Sequence, residues 1–384
     1  MKRKICVLVT ARPSYSRIKT ALKAIQEHPD LELQLVVAGS ALLDRYGQVV
    51  KLIEKDGFEI ARKVYIIMEG ENLVTSAKST GIAVVELTTV FDHLKPDAVV
   101  SVADRFETLA TAVSAAYMNI PLAHVQGGEV TGSIDEKVRH AVTKLADLHF
   151  VANQMAAERV IRMGEEPATV FVTGCPSVDL AARVARDRAL DFDPTEKYGG
   201  VGAEVDISKG YLVVMQHPVT TEHNLAREHI NQTLAAVKAS GLQALWFWPN
   251  VDAGSDGTSK GLRSFRENNG GIPIRFFKNM YSEDFLRLLC NCRCLVGNSS
   301  VGIRECSYLG VPAVNIGSRQ VGRQRGANVT DVPYDKDAIL AAIHENHANG
   351  HCPCETIYGD GNAGKSIADL LAKVELTITK RLTY

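Results

Sequence analysis

The sequence predicts an α/β protein built from two Rossmann-like domains, each with a parallel sheet. Short apolar runs rich in β-branched residues alternate with helical patterns along the chain, which is typical of parallel sheets covered by helices on both faces. The alternation stops between Ala181 and Lys209, where the sequence becomes charged and glycine-bearing, and then resumes. We therefore expect the connection between domains there. The length of 384 residues suits two domains.

The strands and helices of the first half follow from composition and periodicity. The predicted strands are Lys4–Thr10, Leu31–Gly39, Val64–Met68, Ala98–Ala103, Pro121–Val125, Leu148–Val151 and Val170–Thr173. The predicted helices are a first one ending at Gln26, then Ala41–Lys55, Leu73–Leu94, Phe106–Asn119, Asp135–Ala146 and Gln154–Met163. Lys95-Pro96-Asp97 ends the longest of these helices, because proline disfavours helix at the residue before it.

The second half repeats the alternation without a visible sequence repeat. Its predicted strands are Tyr211–Gln216, Ala244–Trp248, Ile274–Phe277, Cys294–Gly297 and Ala313–Ile316. Its predicted helices lie near Glu222–Ala239, Ser259–Glu267, Glu283–Asn291, Val301–Leu309 and Ala363–Lys380.

Composition excludes several classes of function. The chain has 43 Lys and Arg against 44 Asp and Glu, a net charge of −1, so no bulk field attracts nucleic acid or an anionic membrane. The apolar run before Arg12 is too short for a signal peptide. No stretch approaches the ~18 consecutive apolar residues of a membrane span. We therefore expect a soluble, cytoplasmic protein.

The sequence predicts neither a metal nor a cofactor. The closely spaced cysteines Cys290, Cys292 and Cys294, and the pair Cys352 and Cys354, are separated by single residues, whereas zinc sites commonly use longer spacings. We expect reduced, mostly buried thiols. No glycine-rich dinucleotide fingerprint follows the first strand, because Arg12-Pro13 occupies its place.

The segment Leu295–Arg323 combines a strand, a polar turn, a helix, a second strand and a basic loop. The turn Gly297-Asn298-Ser299-Ser300 comes where a strand ends and a helix begins, so its N–H groups and hydroxyls could face a diphosphate. Glu305 could accept two ribose hydroxyls, and Arg319 could approach the phosphates. Alternatively, the turn only caps a helix.

Ligands of open parallel sheets bind beyond the carboxyl ends of the strands, so polar residues there are the site candidates. They are Arg12, Ser16, Asp104, Arg105, Glu129 and Asp135 in the first half, and His217, Asn250, Ser299, Ser300, Glu305 and Arg319 in the second. Carboxylates, a histidine and arginines around a phosphate turn indicate acid–base chemistry on a nucleotide-linked substrate.

Four of these candidates also have structural explanations. Asp104 and Asp135 could each be the N-cap of a helix. Glu129 beside two glycines could be a solvated loop residue. His217 could be a structural loop histidine.

Several motifs together resemble the hydrolysing UDP-N-acetylglucosamine 2-epimerases, which include bacterial sialic-acid pathway enzymes and the epimerase half of the bifunctional animal enzyme. These motifs are Arg12-Pro13-Ser14-Tyr15-Ser16, Gly127-Gly128-Glu129-Val130-Thr131-Gly132, Ile134-Asp135-Glu136, Arg139-His140-Ala141, Gln216-His217-Pro218-Val219-Thr220-Thr221, Pro249-Asn250-Val251-Asp252-Ala253-Gly254, Gly297-Asn298-Ser299-Ser300, Asn315-Ile316-Gly317-Ser318-Arg319-Gln320 and Tyr358-Gly359-Asp360-Gly361-Asn362-Ala363. The likeness extends nearly from end to end.

The resemblance implies a GT-B arrangement, with two parallel-sheet domains facing a central cleft. The first domain would comprise residues 1–180 plus a C-terminal helix at about 365–384, and the second residues 181–364. The implied reaction converts UDP-N-acetylglucosamine to N-acetylmannosamine and UDP, by loss of the C2 proton, expulsion of UDP and hydration of a 2-acetamidoglucal. A homodimer or homotetramer is also implied.

Carried over by position, the resemblance also implies roles for individual residues. The expected UDP-binding residues are Arg12, Ser16, Arg105, His217, Asn250, Ser299, Ser300, Glu305 and Arg319. Asp104 and Asp135 fall where the family has catalytic carboxylates, and His217 would also steady the leaving diphosphate.

Gln126 departs from the pattern, because the animal enzyme has glutamate there. Glutamine cannot exchange a proton at neutral pH. Either Asp104, Asp135 or Glu129 supplies that function, or the substrate is a UDP- or GDP-linked 2,4-diacetamido-2,4,6-trideoxy sugar.

The non-hydrolysing epimerases resemble the chain less. A GT-B glycosyltransferase and a non-enzymatic nucleotide-sugar sensor are the alternatives from other classes.

Overall fold

The computed structural model describes residues 2–44, 48–70, 72–132, 134–249 and 254–383. The chain divides into two compact units. The first unit comprises Met1–Glu129, Ile134–Asp179 and Tyr358–Tyr384, and the second comprises Val130–Ser133 and Leu180–Ile357. Within the described ranges, each unit is built around one seven-stranded sheet.

The first unit alternates strands and helices from its first strand onward. In chain order its elements are β1 (Arg3–Val9), α1 (Arg12–Glu27), β2 (Leu31–Ala38), α2 (Val49–Lys55), β3 (Ile60–Val64), α3 (Leu73–Leu94), β4 (Ala98–Val102), α4 (Phe106–Tyr117), β5 (Leu122–Val125), α5 (Asp135–Leu145), β6 (Leu148–Val151), α6 (Gln154–Arg162) and β7 (Val170–Val172), and α7 (Pro176–Arg186) continues into the second unit. The strand order is β3-β2-β1-β4-β5-β6-β7, and every pairing is parallel.

The second unit continues with α8 (Pro194–Tyr198), β8 (Val201–Gly202), β9 (Tyr211–Met215), α9 (Ala226–Ala239), β10 (Gln243–Phe247), α10 (Ser255–Asn268), β11 (Ile274–Phe277), α11 (Ser282–Asn291), β12 (Leu295–Gly297), α12 (Glu305–Leu309), β13 (Ala313–Ile316), β14 (Val329–Val332) and α13 (Lys336–Asn349). The strand order is β14-β13-β12-β9-β10-β11-β8. Only β8 runs antiparallel among the described strands, against β11. The last helix, α14 (Ala363–Lys373), belongs to the first unit.

In each sheet the order of the parallel strands runs outward in both directions from one pair of neighbouring strands, and the helices that follow these two strands pack on opposite faces. We call this place the switch point of the sheet. In the first sheet this place lies between β1 and β4. Helix α1, after β1, packs on the face formed by Ile5, Val7 and Val9, whereas α4, after β4, packs on the face formed by Cys6 and Leu8. In the second sheet it lies between β9 and β12, because α9 and α12 pack on opposite faces. Crevices open at such places and bind ligands in open α/β sheets.

The predicted fold class is confirmed, but two predicted elements of the first half are wrong. The helix predicted at Ala41–Lys55 is a 3-10 turn at Gly39–Leu42 followed by α2, with residues 45–47 outside the described ranges. The strand predicted at Val64–Met68 is displaced, since β3 ends at Val64 and the next residue, Tyr65, is 72% exposed. The apolar run continues beyond the sheet because Ile66 packs in the core without pairing to a strand.

The second half contains more structure than predicted. Residues 181–209, expected to be a connection, hold the end of α7, all of α8 and the short edge strand β8. The elements β14 and α13 were not predicted at all. The final helix ends at Lys373 instead of Lys380, because Val374 adopts an extended conformation.

Candidate active site

At the switch point of the first unit, Asp104 is buried and hydrogen-bonded by the guanidinium of Arg139. Arg17 of α1 also approaches it, with 3.6 Å between Arg17 Nη1 and Asp104 Oδ1. The Nη1 of Arg139 donates to the backbone oxygen of Glu129 and to the carboxylate of Glu136, each at 2.9 Å. Arg139 therefore joins the loop after β4, the loop after β5 and helix α5.

The charge of Arg139 is fixed by its surroundings. Burial alone would lower the pKa of its guanidinium, but the carboxylates of Asp104 and Glu129 outweigh burial, and the pKa is raised. A permanently charged guanidinium therefore lies among the carboxylates at the first switch point.

His124 holds the backbone just before Asp104. Its Nε2 lies 2.8 Å from the backbone oxygen of Ala103, and its Nδ1 lies 3.2 Å from Thr143 Oγ1. A carbonyl can only accept, so the proton is on Nε2. Ala103 has a φ of 64°, a left-handed conformation that is unusual for alanine and that this hydrogen bond helps to maintain. Burial, the largest influence, lowers the pKa of His124 to about 3, so the ring is neutral at physiological pH.

The structural explanations for three carboxylates are wrong. The N-cap of α4 is Arg105, not Asp104. The N-cap of α5 is Ile134, so Asp135 lies inside the helix as its first residue, where it is half-buried. Glu129 is only 3% exposed and is not a solvated loop residue.

Gln126 is buried on the loop after β5, with a φ of 69°. Its Nε2 lies 2.7 Å from Cys175 Sγ, and its Oε1 is a buried atom with no hydrogen-bond partner among the described residues. An amide in this environment can orient a neighbouring group but cannot exchange a proton.

The three predicted UDP-binding residues of the first unit lie near the same switch point. Arg12 is the first residue of α1, and Ser16 lies one turn later in that helix. Burial lowers the pKa of the Arg12 guanidinium from its usual value. Arg105 directly follows Asp104, and its Nε donates to the buried carboxylate of Glu107 at 3.3 Å.

At the switch point of the second unit, Asn298 connects His217 and Arg319. The backbone N–H of His217 donates to Asn298 Oδ1 at 2.7 Å, and Asn298 Nδ2 donates to the backbone oxygen of His217 at 2.8 Å. The backbone oxygen of Asn298 accepts from Arg319 Nη1 at 3.2 Å and from Gln320 Nε2 at 2.8 Å.

The helix predicted at Val301–Leu309 is instead a 3-10 turn at Ser300–Gly302 followed by the short helix α12. The hydroxyl of Ser299 accepts from the N–H of Val301 at 3.4 Å, so capping is part of its role. Ser300 is the first residue of that turn and is buried. Glu305, expected one turn into the helix, begins α12. It is 8% exposed, and its Oε2 has no hydrogen-bond partner in the described part of the chain.

The sequence assigns no role to Arg17 or Arg139, and it places Asn298 in the phosphate turn without its contact to His217. The structure shows that these three residues organise the two switch points, through partners that lie far away in the sequence. Asn250, a predicted UDP-binding residue, lies outside the described residues.

The remaining predicted features concern metal and membrane. Six of the eight cysteines are buried, and burial raises the pKa of Cys292 and Cys306 well above the usual value. Among the described residues, no group of three or more histidine, cysteine, aspartate or glutamate side chains is arranged to hold a metal ion. None of the helices described combines the length and apolar character needed to cross a bilayer.

Comparison with solved structures supports the fold. The crystal structure of the UDP-GlcNAc 2-epimerase from Neisseria meningitidis bound to UDP-GlcNAc superimposes with a TM-score of 0.78 at 17% identity, covering 97% of this chain and 100% of that one. At this identity the likeness establishes the fold alone.

Comparison of sequences identifies the family. A UDP-N,N'-diacetylbacillosamine 2-epimerase (hydrolyzing) from Legionella pneumophila is 32% identical over 376 residues, 98% of this chain and 97% of the relative. A UDP-N-acetylglucosamine 2-epimerase from N. meningitidis serogroup B is 30% identical over 366 residues, 95% of this chain and 93% of the relative. The family model for UDP-N-acetylglucosamine 2-epimerase matches residues 23–372. The match covers most of the sequence, and the chain therefore belongs to the UDP-N-acetylglucosamine 2-epimerase family.

Proposed function

We propose that this protein is a hydrolysing 2-epimerase that converts UDP-N-acetylglucosamine to N-acetylmannosamine and UDP. The observation that carries the proposal is the pair of charged groups at the switch points: Asp104 held by Arg139 in the first unit, and His217 and Arg319 joined by Asn298 in the second. A nucleotide sugar needs both kinds of group, because its sugar loses a proton and its diphosphate leaves.

The first unit supplies the acid–base chemistry. A base takes the proton from C2, the C1–O bond breaks, and UDP departs with that electron pair to leave a 2-acetamidoglucal. Water then adds its hydroxyl to C1, and a proton returns to C2 on the opposite face. Asp104, Glu129 and Asp135 are the candidates for these transfers. Asp135 is the most accessible of the three, being half-buried where the other two are buried.

The second unit binds the leaving group. Arg319 and His217 would stabilise the negative charge that develops on the diphosphate, as preorganised donors do in many transferases and lyases. Ser299 and Ser300 offer hydroxyls beside the same turn. The buried Oε2 of Glu305 is an acceptor suited to a ribose hydroxyl. Arg12, Ser16 and Arg105 of the first unit, together with Asn250, complete the proposed UDP-binding set.

Two observations, the identity of Gln126 and the name of one relative, favour a second candidate substrate. Gln126 stands where the animal enzyme has glutamate, and its amide is held against the Cys175 thiol. The L. pneumophila relative is named for a diacetamido sugar and is as similar as the N. meningitidis one. The second candidate is therefore the same reaction on a UDP- or GDP-linked 2,4-diacetamido-2,4,6-trideoxy sugar. Either enzyme would act in the cytoplasm as a homodimer or homotetramer.

The test is turnover in D₂O followed by proton NMR. Free UDP together with N-acetylmannosamine carrying deuterium at C2 supports the first candidate. Turnover confined to the diacetamido sugar supports the second, and comparison of its UDP and GDP forms identifies the nucleotide. A product that keeps its C2 proton, or UDP release that requires an added acceptor, contradicts both.

A further inference from the structure

The strands on either side of the second switch point pair up to Gly297 and Met215, and no further. Helices α9 and α12 then leave toward opposite faces of the sheet. Gly297 has a φ of 137°, and a Cβ added there would lie 2.1 Å from the oxygen of Met215. The backbones are thus in close contact at this pair and separate directly after it.

Beyond that pair, the Asn298 side chain takes the place of the missing backbone pairing. Its carboxamide accepts from the N–H of His217 and donates to the oxygen of the same residue, while the Asn298 N–H donates to the oxygen of Met215 at 3.2 Å. Asn298 is 0% exposed. Only a carboxamide offers a donor and an acceptor at this spacing, because aspartate would present two acceptors and an aliphatic side chain neither.

The backbone oxygen of Asn298 holds the side chain of Arg319. It accepts from Arg319 Nη1 and from Gln320 Nε2. A guanidinium has five N–H donors in a fixed plane, so this bond sets the orientation of the plane while other donors remain for an anion.

The turn that carries Arg319 is fixed from its other side. A Cβ at Gly317 would come within 2.2 Å of the Tyr334 ring, and that ring stacks on His229 at 3.6 Å with an interplanar angle of 3°. The hydroxyl of Ser318 donates to the carboxylate of Glu222. Arg319 therefore lies on a turn held between Asn298 and a packed aromatic pair.

We propose that Asn298 is the positioning residue of this site: it holds His217 and Arg319 in the arrangement that receives a nucleoside diphosphate before the ligand arrives. This inference rests on the proposed function, because it assigns that ligand to His217 and Arg319. A preorganised site loses less conformational entropy on binding, so removing Asn298 weakens affinity without removing either contacting side chain.

The experiment measures UDP binding to the full chain by isothermal titration calorimetry, together with thermal unfolding. The variants are Asn298→Ala and the isosteric Asn298→Asp, which keeps the acceptor for the His217 N–H and loses the donor. The matched control is Asn346→Ala, another buried asparagine of the same unit, on α13, whose amide donates to Thr330 Oγ1 at 3.5 Å.

We expect both Asn298 variants to raise the Kd of UDP by about 10- to 100-fold, since hydrogen bonds in buried sites contribute on that scale. Asn346→Ala should leave Kd within about twofold. In turnover assays, KM should rise for the Asn298 variants, whereas a purely structural defect would lower kcat through the folded fraction and leave KM unchanged. If Asn298→Ala does not fold, Asn298→Asp and the UDP-induced increase in its Tm give the same comparison.

Two results overturn the inference in distinguishable ways. A wild-type chain that binds neither UDP nor GDP overturns the proposed function and this inference with it. A wild type that binds, with folded Asn298 variants whose Kd stays within about threefold, overturns the inference alone.

Discussion

The guanidinium of Arg139 donates to the carboxylate of Asp104 within the buried part of the first unit, although 35 residues separate the two in the sequence. The same guanidinium holds the backbone oxygen of Glu129. One cation on α5 thus fixes the loops that carry two of the three proposed acid–base residues. Replacing Arg139 should therefore lower both the stability of the protein and its rate of turnover.

Arg139→Gln should lower the free energy of unfolding by about 3–5 kcal/mol, because it removes the hydrogen-bonded cation of the buried Asp104 and leaves only Arg17, at 3.6 Å. Urea denaturation measures the change. Arg162→Gln, at the exposed end of α6, is the control and should stay within about 0.5 kcal/mol. A loss below about 1 kcal/mol in Arg139→Gln would mean that the buried pair is not formed in solution.

Asp104→Asn and Asp135→Asn should each reduce kcat by about 100-fold or more, since each removes a proposed acid–base group. Their effects on Tm should differ. Asp104 is the buried partner of Arg139, so its loss should lower Tm more than the loss of the half-buried Asp135. Asp92→Asn, exposed on α3, is the control for activity. Full turnover in Asp135→Asn would leave Asp104 and Glu129 as the candidates.

His124 should make the protein less stable in mild acid. Its folded-state pKa of about 3 lies below the ordinary value of 6.5, so the unfolded chain binds the proton more readily. The contribution of His124 is complete above pH 6.5 and is lost as pH falls toward 3. Between pH 7 and pH 5 the loss should be about 2 kcal/mol.

The pH dependence of unfolding in His124→Gln tests this expectation. The variant should lose less stability than wild type between pH 7 and pH 5, whatever its stability at pH 7. His93→Gln, exposed on α3, should retain the wild-type slope. Equal slopes in all three proteins would show that His124 is not a neutral buried group.

Gly297→Ala should prevent folding or cost more than about 3 kcal/mol, because alanine is strained at a φ of 137° and its Cβ would meet the Met215 oxygen at 2.1 Å. Gly241→Ala is the matched control: its φ is also positive, at 69°, but open space surrounds it. There we expect a cost of about 1 kcal/mol, from backbone strain alone. The yield of soluble protein and urea denaturation compare the two variants. A similar loss of stability in both would argue against the close contact between the strands at Gly297 and Met215.

Local signals predicted much of the fold. Helix Leu73–Leu94 has the bounds that its periodicity and the break at Lys95-Pro96 predict. The structure adds a cap at its first turn, because the Asn72 side chain accepts from the N–H of Thr75. The strand predicted at Val64–Met68 failed, because an apolar run does not show where its backbone stops finding a partner strand. The four-residue strand β14 and helix α13 carry too weak a periodicity to be distinguished from loop.

The candidate site was predictable as a set of strand-end residues but not as a hydrogen-bonded arrangement. The sequence indicates that Asn298 stands in a polar turn. It cannot indicate that the side chain pairs with His217, 81 residues earlier, because that contact depends on the order of strands in the sheet. The contact between Arg139 and Asp104 cannot be predicted for the same reason, because it too depends on which strands are neighbours. The assignment of catalytic and UDP-binding roles stays a prediction.

The first unit draws its last segment, Tyr358–Tyr384, from beyond the whole of the second. Helix α14 begins where Asp179 accepts from the N–H groups of Ala363 and Gly364, and Lys380 donates to the backbone oxygen of Thr143. During synthesis, domains fold as the ribosome releases them, usually from the N-terminus onward. Here the first unit emerges first, but it cannot form the contacts of its last segment until nearly 180 residues of the second unit have been translated.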